Sequence, residues 1–177
     1  MGEHEVSQRA VFLDRDGVLN RPAVRDGLPF PPANLAEFQL YPGVAEGCQQ
    51  LKNAGFLLIV VTNQPDVGRG TQSRESVEAM HAKLRSYLPV LDGIEVCFHA
   101  GNTHGEPCGC RKPKPGMLLR AAATHDIDLK RSFLVAIAGA TSIARTPPVA
   151  ARFSSITVIA RRCAKSRSSL SLVFAKP

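Results

Sequence analysis

No aspartate or glutamate follows Asp128, although the chain runs on to Pro177. Residues 1–135 hold 15 Lys and Arg against 15 Asp and Glu, whereas residues 136–177 hold seven basic residues and no acid. The net charge of +7 therefore resides in the last 42 residues alone. A globular surface normally mixes both signs, so this tail is foreign in composition to the body before it. The balanced body lacks the electrostatic footprint of a nucleic-acid-binding domain. The tail, whose only aromatics are Phe153 and Phe174, lacks a stacking platform for single strands. No nucleic-acid partner is expected.

Long apolar runs are also missing. None approaches the roughly 20 residues that a membrane helix needs, so no membrane partner is expected. The first residues, MGEHEVSQRA, are polar and acidic rather than basic and then apolar, unlike a secretory signal. The expected location is the cytoplasm. Cysteine is scarce but unevenly spread: of five, Cys97, Cys108 and Cys110 fall close to one another and to His99. In a reducing compartment such clustering favours metal over disulfides. Cys48, on a predicted helix, reads as a small buried hydrophobe, and Cys163 is isolated.

What is present alternates between two patterns. The runs RAVFLD, FLLIVVTNQ, IEVCFHA and SFLV are short and nearly continuously apolar, as expected of strands buried on both faces. Between them, PGVAEGCQQLKNAGF, SRESVEAMHAKLRSYL and PGMLLRAAATHD carry helical periodicity. The first has Pro42 near its start and Gly55 as a stop, and the second has Ser73 and Glu75 in its first turn. The fold class expected is α/β, Rossmann-like, with a mostly parallel sheet and helices on both faces. At 177 residues this is a single domain: a core over 1–135, with a loop at 97–110, and the basic tail over 136–177. In such sheets functional groups collect beyond the strand C-termini.

Three strand ends carry chemistry. Asp14-Arg-Asp-Gly17 places two carboxylates two residues apart before a glycine, suiting one to attack and the other to handle protons. A plain Asp-Gly turn uses the same dipeptide. Thr62, Asn63 and Gln64 offer a hydroxyl and amide donors at the end of the second run. Arg111 and Lys112 follow Cys110 directly. Cys97-x-His99 and Cys108-x-Cys110 supply three thiolates and one imidazole, a closed set suited to structural zinc; redox thiols and coincidental core thiols are the alternatives. A carboxylate nucleophile, a hydroxyl-amide group and a lysine on successive strand ends are what phosphoryl transfer through an aspartyl-phosphate requires.

In these motifs, FLDRDGVLN, VVTNQ and CRKPKPGML, the chain from about residue 9 to 135 resembles the haloacid dehalogenase-like phosphatases. The likeness is to the zinc-containing group acting on D,D-heptose 1,7-bisphosphate or histidinol phosphate. The resemblance implies that Asp14 attacks phosphorus and that Asp16 protonates the leaving alcohol and then activates water. Thr62, Asn63 and Gln64 would bind substrate, Lys112 would neutralise phosphoryl charge, and Arg111 would recognise the substrate. Mg²⁺ would sit on Asp14, the Asp16 carbonyl and a third carboxylate, and Zn²⁺ on Cys97, His99, Cys108 and Cys110. The partner implied is a small-molecule phosphate ester, and the expected state is a monomer. The segment VRDGLPFPPA, from Val24 to Ala33, is expected to border the pocket.

One element of the family pattern is missing. There the strand corresponding to SFLV is followed by Gly-Asp, the third magnesium ligand; here Val135 precedes Ala-Ile-Ala-Gly-Ala-Thr-Ser142. A single lost base after the Val135 codon accounts for this: the bases GTC GGC GAT CGC TGG CGC GAC ATC encode Val-Gly-Asp-Arg-Trp-Arg-Asp-Ile. Without one G they encode the observed residues. Residues 136–177 then read as a frameshifted, largely irregular tail, with the strand-helix unit that should close the sheet lost, Pro147 and Pro148 breaking any helix, and ITVIA (156–160) able to pair as a strand. A chain so altered would be an impaired enzyme or a non-catalytic remnant.

Overall fold

The computed structural model describes residues 7–101, 108–137 and 157–161. Within them lie β1 (Ala10–Leu13), β2 (Ala23–Arg25), β3 (Leu28–Phe30), α1 (Val44–Asn53), β4 (Leu57–Asn63), α2 (Pro65–Gly68), α3 (Arg74–Tyr87), β5 (Gly93–Cys97), α4 (Gly116–His125), a 3-10 turn (Leu129–Arg131), β6 (Phe133–Ile137) and β7 (Thr157–Arg161). The main sheet has the order β5-β4-β1-β6-β7, and every neighbouring pair is parallel. Side chains of the two central strands, β1 and β4, divide by parity. Val11, Leu13, Leu58 and Val60 pack with α1 and α3 on one face, through Cys48, Leu51, Val77, Met80 and Leu84. Ala10, Phe12, Ile59 and Val61 pack with Met117, Leu118 and Ala121 of α4 on the other. Helices cover both faces, as the alternating pattern requires.

The helix boundaries follow local chemistry. α1 ends in a Schellman motif: the Gly55 N–H donates to the Lys52 carbonyl at 2.9 Å and the Phe56 N–H to the Leu51 carbonyl at 3.2 Å. Gly55, at φ 81°, takes the left-handed position that this motif needs. The Ser73 hydroxyl caps α3 by accepting from the Ser76 N–H. Leu58 is fully buried in β4, so Leu58→Ala is expected to cost about 2–5 kcal/mol, measurable as a lower urea midpoint with an unchanged slope.

Two parts differ from the sequence-based expectation. The segment expected to border the pocket contains a two-stranded antiparallel hairpin, β2 to β3. Its turn residues Asp26 and Gly27 both have positive φ, 50° and 74°, as in a type I′ turn. The Asp-Gly pair between short strands is the signal for it in the sequence. At the other end, β7 pairs in parallel with β6 from Phe133↔Thr157 to Ile137↔Arg161, one residue along from the expected 156–160. The remainder of the tail, including the two prolines, lies outside the described residues, as does the loop from 102 to 107. Among the described residues no helix is long and apolar enough to cross a membrane.

Candidate active site and metal cluster

The parallel ladder decides where the first carboxylate goes. Leu13 is paired with Val60 on one side and Val135 on the other, and the Asp14 N–H donates to the Val135 carbonyl at 2.9 Å. Asp14 is therefore anchored to the sheet while its side chain emerges at the C-terminal edge. Its Oδ1 accepts from the Arg15 N–H at 2.9 Å and stands 2.6 Å from Lys112 Nζ. Lys112 also donates to the Val61 carbonyl at 2.9 Å. Burial pushes the Asp14 carboxyl above the ordinary carboxylate range; the Lys112 ammonium pulls against that shift, and the nearby Asp16 adds to it.

Asp16 is surrounded by donors. Oδ1 accepts from Asn20 Nδ2 at 3.0 Å and Arg15 Nε at 3.2 Å. Oδ2 accepts from Gln64 Nε2 at 2.8 Å and Arg15 Nη2 at 3.0 Å. Gln64 Nε2 also donates to the Thr62 hydroxyl at 2.8 Å, so the second strand end is tied to the first. Asn63 also ties two elements together. Its Nδ2 donates to the Lys112 carbonyl at 3.2 Å and its Oδ1 accepts from the Lys112 N–H at 3.0 Å. Both ends of the amide thus clamp the lysine loop to β4, with one N–H of Nδ2 left over. Arg111 lies beyond, its Nη1 buried and without a hydrogen-bond partner among the described residues, and a Cβ at Gly101 would stand 3.7 Å from its Cζ.

Cys97, His99, Cys108 and Cys110 come together, with their ligand atoms all within 4.8 Å of one another. The Cys97–Cys108 Sγ separation is 3.8 Å, Cys97 Sγ to His99 Nδ1 is 3.5 Å, and Cys110 Sγ to the same nitrogen is 3.2 Å. A tetrahedron with Zn–S near 2.3 Å and Zn–N near 2.1 Å has S–S edges of about 3.8 Å and S–N edges of about 3.6 Å, so the cluster can hold zinc. Burial, aided by the neighbouring thiols, pushes Cys97 up to about 12. At Cys108 desolvation works in the same direction but is outweighed by hydrogen bonds from the Arg111 and Cys110 peptides and the neighbouring thiols, leaving the thiol at about 7. The cluster rests on the start of α4. A side chain at Gly116 would fall 2.5 Å from the Gly109 carbonyl oxygen and 2.9 Å from the Cys110 Cα, so glycine is required there for the Gly109–Cys110 backbone to close against the helix.

Every residue singled out from the sequence at the three strand ends thus lies at one sheet edge or in the adjoining cluster. The structure adds Asn20, Arg15 and His81. Asn20 closes the first motif, and the signal for the other two is a polar side chain between two acids and a histidine on the apolar face of a helix.

Residues 11–169 match the polynucleotide kinase 3 phosphatase family. The chain belongs to this family, within the haloacid dehalogenase-like phosphatases. It is 42% identical over 135 residues to the D-glycero-beta-D-manno-heptose-1,7-bisphosphate 7-phosphatase of Pasteurella multocida, covering 72% of this chain and 70% of that protein. It is 36% identical over 129 residues to the D-glycero-alpha-D-manno-heptose-1,7-bisphosphate 7-phosphatase of Mycobacterium tuberculosis, covering 71% of this chain and 64% of that one. Among solved structures, the D,D-heptose 1,7-bisphosphate phosphatase of B. bronchiseptica, complexed with magnesium and phosphate, is similar at TM-score 0.63 and 31% identity. That match covers 74% of this chain and 71% of that one. Haloacid dehalogenase-like phosphatases are enzymes, and these relatives act on a sugar phosphate.

Proposed function

We propose that this chain is built as a phosphomonoester hydrolase for a heptose 1,7-bisphosphate type of sugar phosphate, working through an aspartyl-phosphate, and that its turnover is impaired by loss of the acid after β6. The observation that carries this reading is the pair of carboxylates at the end of β1, one against Lys112 at 2.6 Å and the other bonded to Gln64 and Asn20. Asp14 Oδ1 or Oδ2 would attack phosphorus in line with the leaving oxygen, forming an O–P bond as the P–O bond to the sugar breaks. Asp16 would give its proton to the departing alkoxide and then take one from the water that opens the phospho-enzyme. Lys112 would lie against the phosphoryl oxygens and the Thr62 hydroxyl would donate to them. Arg111, with a buried nitrogen that has no hydrogen-bond partner among the described residues, would take the substrate's remaining polar groups.

The donor set suits a hard divalent cation: it offers carboxylate and carbonyl oxygens at a buried edge, and since Lys112 and Arg15 already pair with the two carboxylates, an incoming phosphate dianion would bring charge left to be neutralised. Asp14 and the Asp16 carbonyl would hold Mg²⁺, which would supply charge neutralisation at the phosphoryl group. The third carboxylate of the family pattern is absent, since Ala136-Ile137 follows Val135. Zn²⁺ would be structural, fixing Arg111 and Lys112 through the adjacent Cys110. We place the protein in the cytoplasm as a monomer, without nucleic-acid or membrane partners.

The test is phosphate release with Mg²⁺ from heptose 1,7-bisphosphate, histidinol phosphate and a generic ester, by this chain and by one with the frame restored after Val135. Higher turnover of the heptose ester by the restored chain is expected. Equal activity of the two chains would refute the account of the missing acid, and a preference for histidinol phosphate would refute the substrate class. Lys112→Ala in the restored chain is expected to lower kcat about 10²- to 10³-fold, the usual loss for one charge-stabilising donor.

A further inference from the structure

Arg15 has no exposed surface, which is costly for a guanidinium unless its donors are satisfied. It stands behind Asp16 and donates from Nε and Nη2 to the two carboxylate oxygens, at 3.2 and 3.0 Å, the two-pronged geometry that fixes a carboxylate's plane as well as its place. Its third direction, Nη1, meets His81 Nε2 at 3.2 Å. Arginine has no acceptor, so Nε2 must accept and the imidazole proton must sit on Nδ1, which lies 3.5 Å from Glu78 Oε2. His81 is 4% exposed, while Glu78 is half-exposed in a cleft of about 340 Å³ between α3 and β5 that Arg74 and Arg85 also line. A row of side chains therefore runs from the surface of α3 inward to the carboxylate: Glu78, His81, Arg15, Asp16.

We infer that Glu78, His81 and Arg15 form a positioning relay that holds Asp16 from behind in the orientation its proton transfers require. The inference rests on the phosphatase reading for what Asp16 does, but not for the arrangement of the relay. Of the four bonds to Asp16, those from Asn20 and Gln64 are single amide contacts that a reacting oxygen can displace. The fork from Arg15 stays in place because His81 and Glu78 anchor it. His81 suits this post because it is neutral: burial first, and then the Arg15 charge, pull its imidazole down to about 4, against the opposing effect of Glu78 and Asp16. A protonated His81 would point a second N–H at the guanidinium and break the row. Their side chains bond to Asp16, to one another and, at Glu78, to Arg74, so they are positioning residues rather than catalytic ones.

The test compares His81→Leu with His81→Gln in the full chain loaded with zinc and magnesium, by single-turnover phosphate release from an alkyl phosphate and from an aryl phosphate with a stable phenolate leaving group. An alkoxide needs a proton from Asp16 as it leaves and a phenolate does not. In His81→Leu the alkyl-to-aryl ratio of kcat is expected to fall about tenfold, a fraction of the 10²–10⁴ that proton transfer supplies, with KM within about twofold. Glutamine can accept from Arg15 and donate to Glu78, so His81→Gln is expected to restore most of the ratio. Equal losses on both esters, or equal losses in both variants, would mean a purely structural role and overturn the proposal. Nitrogen-15 spectra of the His81 ring supply the second arm: Nδ1–H in the unaltered chain, with Nε2–H appearing in Arg15→Met. If neither the unaltered chain nor the frame-restored one releases phosphate from either ester, the phosphatase reading fails while the spectra still decide the relay; Nε2–H in the unaltered chain would overturn it.

Discussion

Stripping zinc with a chelator is expected to lower the melting temperature by about 8–16 °C. Linkage sets this size: at zinc a thousandfold above Kd the bound ion adds about 4 kcal/mol, and 1 kcal/mol moves Tm by about 2–4 °C in a domain of this size. The effect is large because few apolar contacts can replace the ion. Cys97 closes β5 and Cys110 sits against the start of α4, so the four ligands join two elements across a polar stretch. Cys97→Ser is expected to lose most of the gain from zinc, as read by differential scanning calorimetry with and without the metal; an unchanged melting temperature after chelation would exclude a structural metal.

Acidity should act on the same site. Zinc binds thiolates, so each thiol gives up a proton on binding. With Cys97 raised to about 12 and Cys108 lowered to about 7 in the metal-free protein, Cys97 is protonated throughout the neutral range and Cys108 joins it below pH 7. Apparent zinc affinity therefore falls as pH falls, by about tenfold per pH unit for each proton taken up. The steepening below pH 7 is measurable by competition with a chromogenic chelator.

Replacing Ala136 by Gly and Ile137 by Asp is expected to raise phosphate release about 10²- to 10³-fold in the presence of Mg²⁺, the span that one charge-stabilising group supplies. The sheet register is the reason. β6 runs parallel to β1 with Val135 opposite Leu13, and the Val135 carbonyl accepts from the Asp14 N–H. The chain after Val135 therefore leaves β1 beside the two carboxylates, where a third would complete an anionic site for the cation. The same substitutions should lower the melting temperature in EDTA, since a third carboxylate would then join two that already share Lys112 and Arg15, and magnesium should reverse the loss. No gain in rate, with magnesium shown to bind, would mean that the defect lies elsewhere in residues 136–177.

Much of this is legible in the sequence because it is local. Continuous apolar runs of strand length and helices with one apolar stripe specify a parallel sheet covered on both faces, and the observed order β5-β4-β1-β6-β7 obeys them. Asp14 and Asp16 declare themselves by spacing and by Gly17, and the four zinc-type ligands by two short pairs. The hairpin is harder to see although Asp26-Gly27 marks it, because three-residue strands have too little pattern to stand out beside a proline-rich segment. For Asn63 the motif implies a phosphate ligand and allows nothing finer; that its amide also clamps a peptide 49 residues away is not written along the chain.

Residue types and their periodicity alone determined the fold class, the strand ends that carry chemistry, the metal-type cluster and the change of composition after Val135. Only the tertiary structure decided which neighbours those groups have. His81 lies 66 residues from Arg15, and nothing along the chain distinguishes a buried histidine that merely fills α3 from one that holds a guanidinium behind a reacting carboxylate. That distinction depends on α3 packing over the end of β1, where low dielectric makes every unpaired donor expensive and so forces Arg15, His81 and Glu78 into a single row.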